Sequence, residues 1–306
     1  MAKGETPAGL ARTPHARLKT VVMLLNPLSG SVGPKAQAEA RTIFAEFGLK
    51  AKIIPLSGDF GACLDRAFAA RPDVIFVLAG DGTAGAVAAR AGADGPLVAP
   101  LPGGTMNMLP KALYGTADWK AALRGALQDG QPQYVAGGRV GRDHPFYCAA
   151  ILGSPALWAP AREAVRTGKL KLAWAYGRRA LRRAFSGRIR FSLDGARARR
   201  SEALVLISPM ISRAMEEPTG LEAAAMDPGH AAEAFRLAAH ALFDDWRSDP
   251  SVSTRPARTI KVWARSRIPA VIDGEPVRLE PEATVTFLPR AFRALAPRPP
   301  AGEDSV

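Results

Sequence analysis

The chain has 306 residues, 47% of them hydrophobic, enough for two domains with full cores. No apolar run is long enough to cross a bilayer as a helix, and the first residues hold no apolar signal core. The two isolated cysteines, Cys63 and Cys148, argue against a disulfide framework or zinc site, and the net charge of +13 points to polyanionic partners.

Residues 1–18 lack periodicity and read as a disordered lead-in. Thr20–Leu25 predicts a buried strand, closed by an Asn-Pro-Leu-Ser-Gly-Ser turn. A helix follows, whose first turn can hold Pro34, with Ala38, Ile43, Phe44 and Phe47 on its apolar face and Gly48 at its end. Ala51–Leu56 predicts the second strand and Asp59–Ala70 the second helix. Val74–Leu78 predicts the third strand, followed by Ala79-Gly80-Asp81-Gly82-Thr83 and a small-residue helix from Ala84 to Arg90. Leu97–Leu101 predicts the fourth strand, ending in Pro-Gly-Gly-Thr-Met-Asn, with helices over Met106–Leu113 and Asp118–Gln128.

This alternation predicts a parallel, doubly wound α/β sheet. Its Gly/Ser/Thr loops should open on one edge, at the carboxyl ends of the strands, where ligands of such sheets bind. Small residues let backbone approach a phosphate, and amides at a helix start favour negative charge. Asp81 cannot contact a phosphate directly, since like charges repel; a cation or a reacting proton beside it would account for it.

After Gln131 strands dominate. They are expected at Tyr134–Val140, Phe146–Leu152, Ile189–Leu193, Ala203–Ser208, Gly220–Ala225, Thr259–Ala264, Ala270–Asp273 and Ala283–Phe287, with helices over Ala159–Phe185 and His230–Trp246. They predict a second, largely antiparallel β-sandwich domain. Between Arg166 and Arg200 stand twelve basic residues and one acid, Asp194, interleaved with Leu170, Leu172, Trp174, Tyr176, Leu181 and Phe185. Such a stretch is either a basic solvated face or a contact with an anionic membrane surface. No nucleic-acid-binding motif accompanies it, and the four histidines are scattered.

Asn26-Pro27-Leu28-Ser29-Gly30, Gly80-Asp81-Gly82-Thr83, Pro102 to Asn107 (PGGTMN) and Ile272-Asp273-Gly274-Glu275 stand in the order and spacing of the diacylglycerol kinase catalytic-domain family. The chain resembles that family, which includes bacterial lipid kinases, sphingosine kinases and ceramide kinases, over roughly residues 20–297. GDGT alone is shared with NAD kinases and phosphofructokinases; the NPxSG opening and the late DGE set the lipid kinases apart.

The resemblance implies an ATP-dependent lipid kinase that phosphorylates a hydroxyl of diacylglycerol or a related lipid, with ATP and Mg²⁺ required. It places a nucleotide-binding α/β domain over residues 19–131, joined by a return segment over 289–297, and a lipid-binding β-sandwich over 132–288; residues 298–306 read as a loose tail. It assigns nucleotide binding to Asn26, Ser29, Gly30, Ser57, Gly80, Asp81, Gly82, Thr83, Gly104, Thr105 and Asn107. Asp81 would hold Mg²⁺ through water, and Asp273 or Glu275 would take the proton of the lipid hydroxyl. By chemistry alone Asp273-Gly274-Glu275 is a hairpin turn. The expected setting is cytoplasmic, peripheral to the inner membrane face through segment 166–200; the oligomeric state is not legible.

The chain departs from the family pattern at Ala79, Gly85 and Ala86, where relatives carry Gly, Asn and Glu, and at Met108, where they carry Asp. In the second domain Glu216, Glu217, Glu222 and Asp227 lie near a structural Mg²⁺ site of relatives. Two other readings fit part of the pattern: a non-catalytic lipid- or nucleotide-binding member, and a soluble NAD-kinase-like enzyme.

Overall fold

The computed structural model describes residues 18–153, 188–212, 219–226 and 252–298. The two expected helices over 159–185 and 230–246 lie outside them. So do Glu216, Glu217 and Asp227.

The first part of the chain alternates strand and helix: β1 (Val21–Leu25), α1 (Ala36–Glu46), β2 (Ala51–Pro55), α2 (Phe60–Ala69), β3 (Val74–Ala79), α3 (Asp81–Ala91), β4 (Leu97–Pro102), α4 (Met108–Tyr114) and α5 (Trp119–Gln128). Strands follow: β5 (Gly130–Val140), β6 (His144–Phe146), β7 (Ala149–Gly153), β8 (Ile189–Leu193), β9 (Arg199–Ser201), β10 (Ala203–Ile207), β11 (Leu221–Met226), β12 (Val252–Ala257), β13 (Thr259–Trp263), β14 (Ile268–Ile272), β15 (Glu275–Leu279) and β16 (Glu282–Pro297). The fold is mixed α/β, with a parallel sheet and its helices first and antiparallel strands after. Two compact units divide it: one holds 18–80, 94–133 and 293–298, the other 81–93 with the described residues of 134–292.

In the first unit β2, β1, β3 and β4 lie side by side and parallel. β1 and β3 are buried along their whole length, as their unbroken apolar sequences require of strands covered on both faces. Phe44 of α1 meets Phe76 of β3 edge to face, with ring centroids 5.3 Å apart, and α5 adds Trp119, Leu123 and Leu127 to the same core. Asp59 and Asp118 cap α2 and α5 by accepting the N–H of Gly61 and Lys120, which satisfies amides that have no partner inside the helix. At the chain's far end, Ala294 pairs in parallel with Val98, and Leu295 O accepts the Tyr114 hydroxyl at 2.7 Å.

In the second unit, one antiparallel sheet runs β12-β11-β10-β7-β14-β15. A second set of strands, β9, β8, β13 and the first part of β16, is also antiparallel. Alternate residues of both, such as Leu152, Leu204, Phe191, Ile260 and Val285, bury into one core.

Several boundaries differ from the sequence expectation. α1 begins at Ala36, two residues after Pro34, and α3 begins at Asp81 rather than Ala84. The strand expected over Phe146–Leu152 is broken at Tyr147 and Cys148, whose amides turn to the carboxylate of Asp273. β9, β12 and β15 were not expected. β12 and β15 hold Pro256 and Pro276, residues that read against a strand; both lie at sheet edges, where a missing N–H costs no ladder bond. β16 runs far past Phe287, through the proposed return segment to Pro297.

Candidate functional site

The loops at the carboxyl ends of β1, β3 and β4 are tied together within the first unit. Asn26 N–H donates to Leu78 O at 2.9 Å, and its Oδ1 accepts from Leu28 N at 3.1 Å, folding the Asn-Pro turn on itself. Ser31 N–H reaches Gly103 O, and Ser31 Oγ donates to Pro102 O at 3.2 Å. A Cβ on Gly30 would stand 3.6 Å from Thr105 Oγ1, and one on Gly80 would stand 3.9 Å from Ser29 Oγ. Ser29, Gly30, Gly80, Gly104 and Thr105 therefore share one small-residue edge. Ser57 is exposed after β2 and uses its carbonyl to accept the Cys63 thiol.

Gly103 is required by close approach: a Cβ there would lie 2.6 Å from Ala79 N and 2.8 Å from Ala79 O. Sequence reasoning passed over this glycine. Asn107 is buried and left-handed at φ 52°. Its side chain accepts Gly104 N–H at 2.7 Å and donates back to Gly104 O at 2.9 Å. Asn107 therefore builds the third loop, a use its position in a turn allows because Asn tolerates this conformation. Ala79 is not left-handed, so replacing the family Gly there carries no backbone strain. A cavity of about 510 Å³ lies in this unit between the starts of α1 and α5, lined by Ser31, Lys35, Glu39, Trp119 and Lys120 among others. None of the sequence-predicted site residues lines it.

The acidic residues gather in the second unit. Asp81 is the first residue of α3, where the helix dipole favours a carboxylate. Its Oδ1 is shielded from solvent. Asp273 and Gly274 both have positive φ, 44° and 92°, and form the two-residue turn between β14 and β15. Asp-Gly is a preferred pair for such a turn. The hairpin reading of DGE is thus correct as local structure, and the turn also aims both acidic side chains.

Asp273 faces inward. Its Oδ2 accepts Tyr147 N–H at 2.7 Å, and its Oδ1 accepts the N–H groups of Cys148 and Ala149, each at 2.9 Å. Burial pushes its carboxyl above the ordinary range; the three amides pull it back, and the nearby Asp81 charge adds to the upward push. Glu275 is exposed, and no described residue bonds to its carboxylate. A Cβ on Gly82 would stand 3.7 Å from Glu275 Oε1. The late acidic pair therefore meets the start of α3, next to Asp81. Thr83, two residues after Asp81, is half-buried.

Tyr147 is a residue that sequence reasoning missed. It is buried, with its phenol pushed up by burial and by Asp273. The ring stacks edge to face on Phe292, with centroids 5.1 Å apart, and lies 3.9 Å from where a Cβ on Gly85 would be. Gly137 makes room for it: a Cβ there would fall 2.5 Å from Phe146 O and 3.0 Å from the Tyr147 ring. The Gly137-Gly138 pair inside a predicted strand was the available signal, since strand glycines mark close backbone approaches. Among the described residues no group of three or more His, Cys, Asp or Glu side chains could cage a metal. Glu222, the described one of the four acids that the sequence singles out in the second domain, is buried and accepts the Ser212 hydroxyl.

Residues 20–139 match the family model of the diacylglycerol kinase catalytic domain, so the resemblance read from the first three motifs holds; the DGE motif lies beyond the matched span. Three solved structures from Bacillus anthracis str. Sterne share the fold. One, described as a diacylglycerol kinase, is 13% identical with a TM-score of 0.65, covering 93% of this chain and 98% of its own. Two described as candidate diacylglycerol kinases are 17% and 16% identical, with TM-scores of 0.69 and 0.70. They cover 93% and 92% of this chain and 99% and 98% of their own. No curated protein matches.

Proposed function

We propose that the protein is an ATP-dependent lipid kinase, transferring the γ-phosphate to a hydroxyl of diacylglycerol or a related lipid presented at a membrane surface. The observation that carries this reading is Glu275 Oε1 beside Gly82, on the turn of the helix that Asp81 begins. A base and a charge-balancing carboxylate then flank one small-residue turn. Asn26, Ser29, Gly30, Ser57, Gly80, Gly82, Thr83, Gly104 and Thr105 are the proposed nucleotide contacts, through amides and small hydroxyls, and Asn107 shapes the loop that presents Gly104 and Thr105.

Between the two late acids the geometry favours Glu275 as the base. Asp273 already accepts three amide hydrogens, whereas Glu275 is exposed and unengaged among the described residues. In the reaction the lipid oxygen attacks the γ-phosphorus as its proton passes to Glu275. The bond from the γ-phosphorus to the bridging oxygen breaks, and ADP leaves with that electron pair. Asp81 fits a hydrated Mg²⁺, because that ion keeps several waters and needs few carboxylates. When bound, it would neutralise the phosphate charge. Positioning and neutralisation carry most of the rate in such transfers.

The experiment is phosphate transfer from γ-labelled ATP with Mg²⁺ to a lipid extract, resolved by chromatography. A labelled lipid that disappears with Asp81→Asn in a folded protein supports the reading. Gly85 and Ala86, which leave α3 without the family Asn and Glu, favour a second reading, a binding protein without turnover. Saturable nucleotide binding with no labelled product from any lipid would establish that one instead.

A further inference from the structure

The antiparallel strands of the second unit expose one strongly basic face. Register places Arg200 of β9 opposite Arg190 of β8, Arg190 opposite Trp263 of β13, and Trp263 opposite Glu282 of β16. Directly paired residues share a face, so these four form one row. Lys261 stands two residues from Trp263 on the same face, paired with Ser192 and Thr284. The other face carries Phe191, Ile260 and Val262 into the core. Arg190, Arg197, Arg200 and Lys261 are exposed, and among the described residues none of them forms an ion pair. Asp194, in the turn between β8 and β9, is engaged by the N–H groups of Arg258 and Thr259.

Two arginines directly opposite one another repel, and a cross-strand pair of like charge destabilises a sheet. A short charged edge strand does discourage edge-to-edge pairing, which would account for β9. It does not account for Lys261 and half-buried Trp263 on β13, which is flanked by β8 and β16. Two arginines and a lysine, without an ion pair among the described residues and outnumbering the one acid of the row, Glu282, suit with the neighbouring indole a broad anionic surface: the cations meet headgroup phosphates, and the indole settles at the apolar boundary. We infer that this face, through Arg190, Arg200, Lys261 and Trp263, docks the protein on an anionic lipid bilayer. The inference rests on the lipid-kinase reading for its purpose, since a membrane lipid must be reached where it lies; the docking itself is measured without turnover.

The test is co-sedimentation of the full chain with vesicles of phosphatidylglycerol and phosphatidylcholine, and of phosphatidylcholine alone, without ATP. Each basic residue near an anionic leaflet contributes about fivefold. Arg190→Gln/Arg200→Gln should therefore bind the anionic vesicles roughly 25-fold more weakly. Arg190→Lys/Arg200→Lys keeps the charge and should bind nearly as wild type, a control that stays informative if the glutamine variant aggregates. Arg41→Gln/Lys50→Gln removes the same charge from exposed sites in the first unit and should bind as wild type. Wild-type binding should weaken with added salt.

An equal loss in both glutamine variants, or undiminished binding by Arg190→Gln/Arg200→Gln, overturns the inference. So does single-stranded RNA binding that the same variant abolishes in a protein that ignores vesicles. Phosphorylation of detergent-dispersed lipid by a protein that does not bind vesicles overturns it while sparing the kinase. Vesicle binding lost in the glutamine variant, without phosphate transfer, supports the docking and overturns the kinase.

Discussion

The Asp273 carboxylate accepts the backbone N–H of Tyr147 at 2.7 Å, joining residues 126 positions apart. With Cys148 and Ala149 on its other oxygen, the carboxylate clamps the chain where β6 gives way to β7. That clamp sets the Tyr147 ring against α3 at Gly85. Asp273→Ala leaves three amide donors without their acceptor, and leaving buried donors unsatisfied is expensive. We expect a loss of about 2–4 kcal/mol in urea unfolding, and a smaller loss for Asp273→Asn, whose carbonyl still accepts. A stability within error of wild type for Asp273→Ala would show that water replaces the clamp at no cost.

The same carboxyl makes stability depend on pH. Its value in the folded protein is raised above the ordinary 3.8, by burial first. In the window from 3.8 up to the raised value, the folded protein binds more protons than the unfolded chain, so stability falls as pH rises. Asp273→Asn lacks the group. The stability of wild type minus that of Asp273→Asn should therefore be greatest in acid and decline as pH increases through that window, measured by urea unfolding at several pH values. A difference that grows with pH would mean that the three amides outweigh burial.

Glu275 separates chemistry from folding. It is exposed and makes no contact that holds the fold together among the described residues. Glu275→Gln should leave the urea midpoint unchanged and lower kcat for lipid phosphorylation by about 10²–10⁴-fold, the usual worth of a general base. Asp273→Asn should lose both stability and rate. Unchanged kcat in Glu275→Gln would move the base to another group.

The small-residue loops after β1, β3 and β4 and the parallel sheet were legible in the sequence because local chemistry encodes them. β1 and β3 are short runs of large apolar residues ending in Gly, Ser and Asn, and nothing distant is needed to place them. The clamp was not legible. Asp273 meets Tyr147 only through the pairing of β14 with β7, and no local pattern around either residue announces it. The edge strands β12 and β15 were hidden by proline, which argues against a strand until the strand is known to lie at an edge. Asn107 was read as a ligand contact because its motif says so; its buried side chain is bound to Gly104.

Two glycines near the candidate site should respond to alanine in opposite directions. Gly85 has no positive φ, and its Cβ would make only an ordinary 3.9 Å contact with the Tyr147 ring. It sits inside α3, where alanine is favoured over glycine by about 0.5–1 kcal/mol. Gly85→Ala should therefore raise stability by that amount. Gly103 has no such room: the new Cβ would fall 2.6 Å from Ala79 N, so β3 and the third loop must part. Gly103→Ala should lower stability by about 1–3 kcal/mol and, if the loop presents Gly104 and Thr105 to ATP, raise KM for ATP more than it changes kcat. Urea unfolding and steady-state kinetics on the two variants check both. Equal gains would mean that Gly103 is not there for space, and equal losses that Gly85 is.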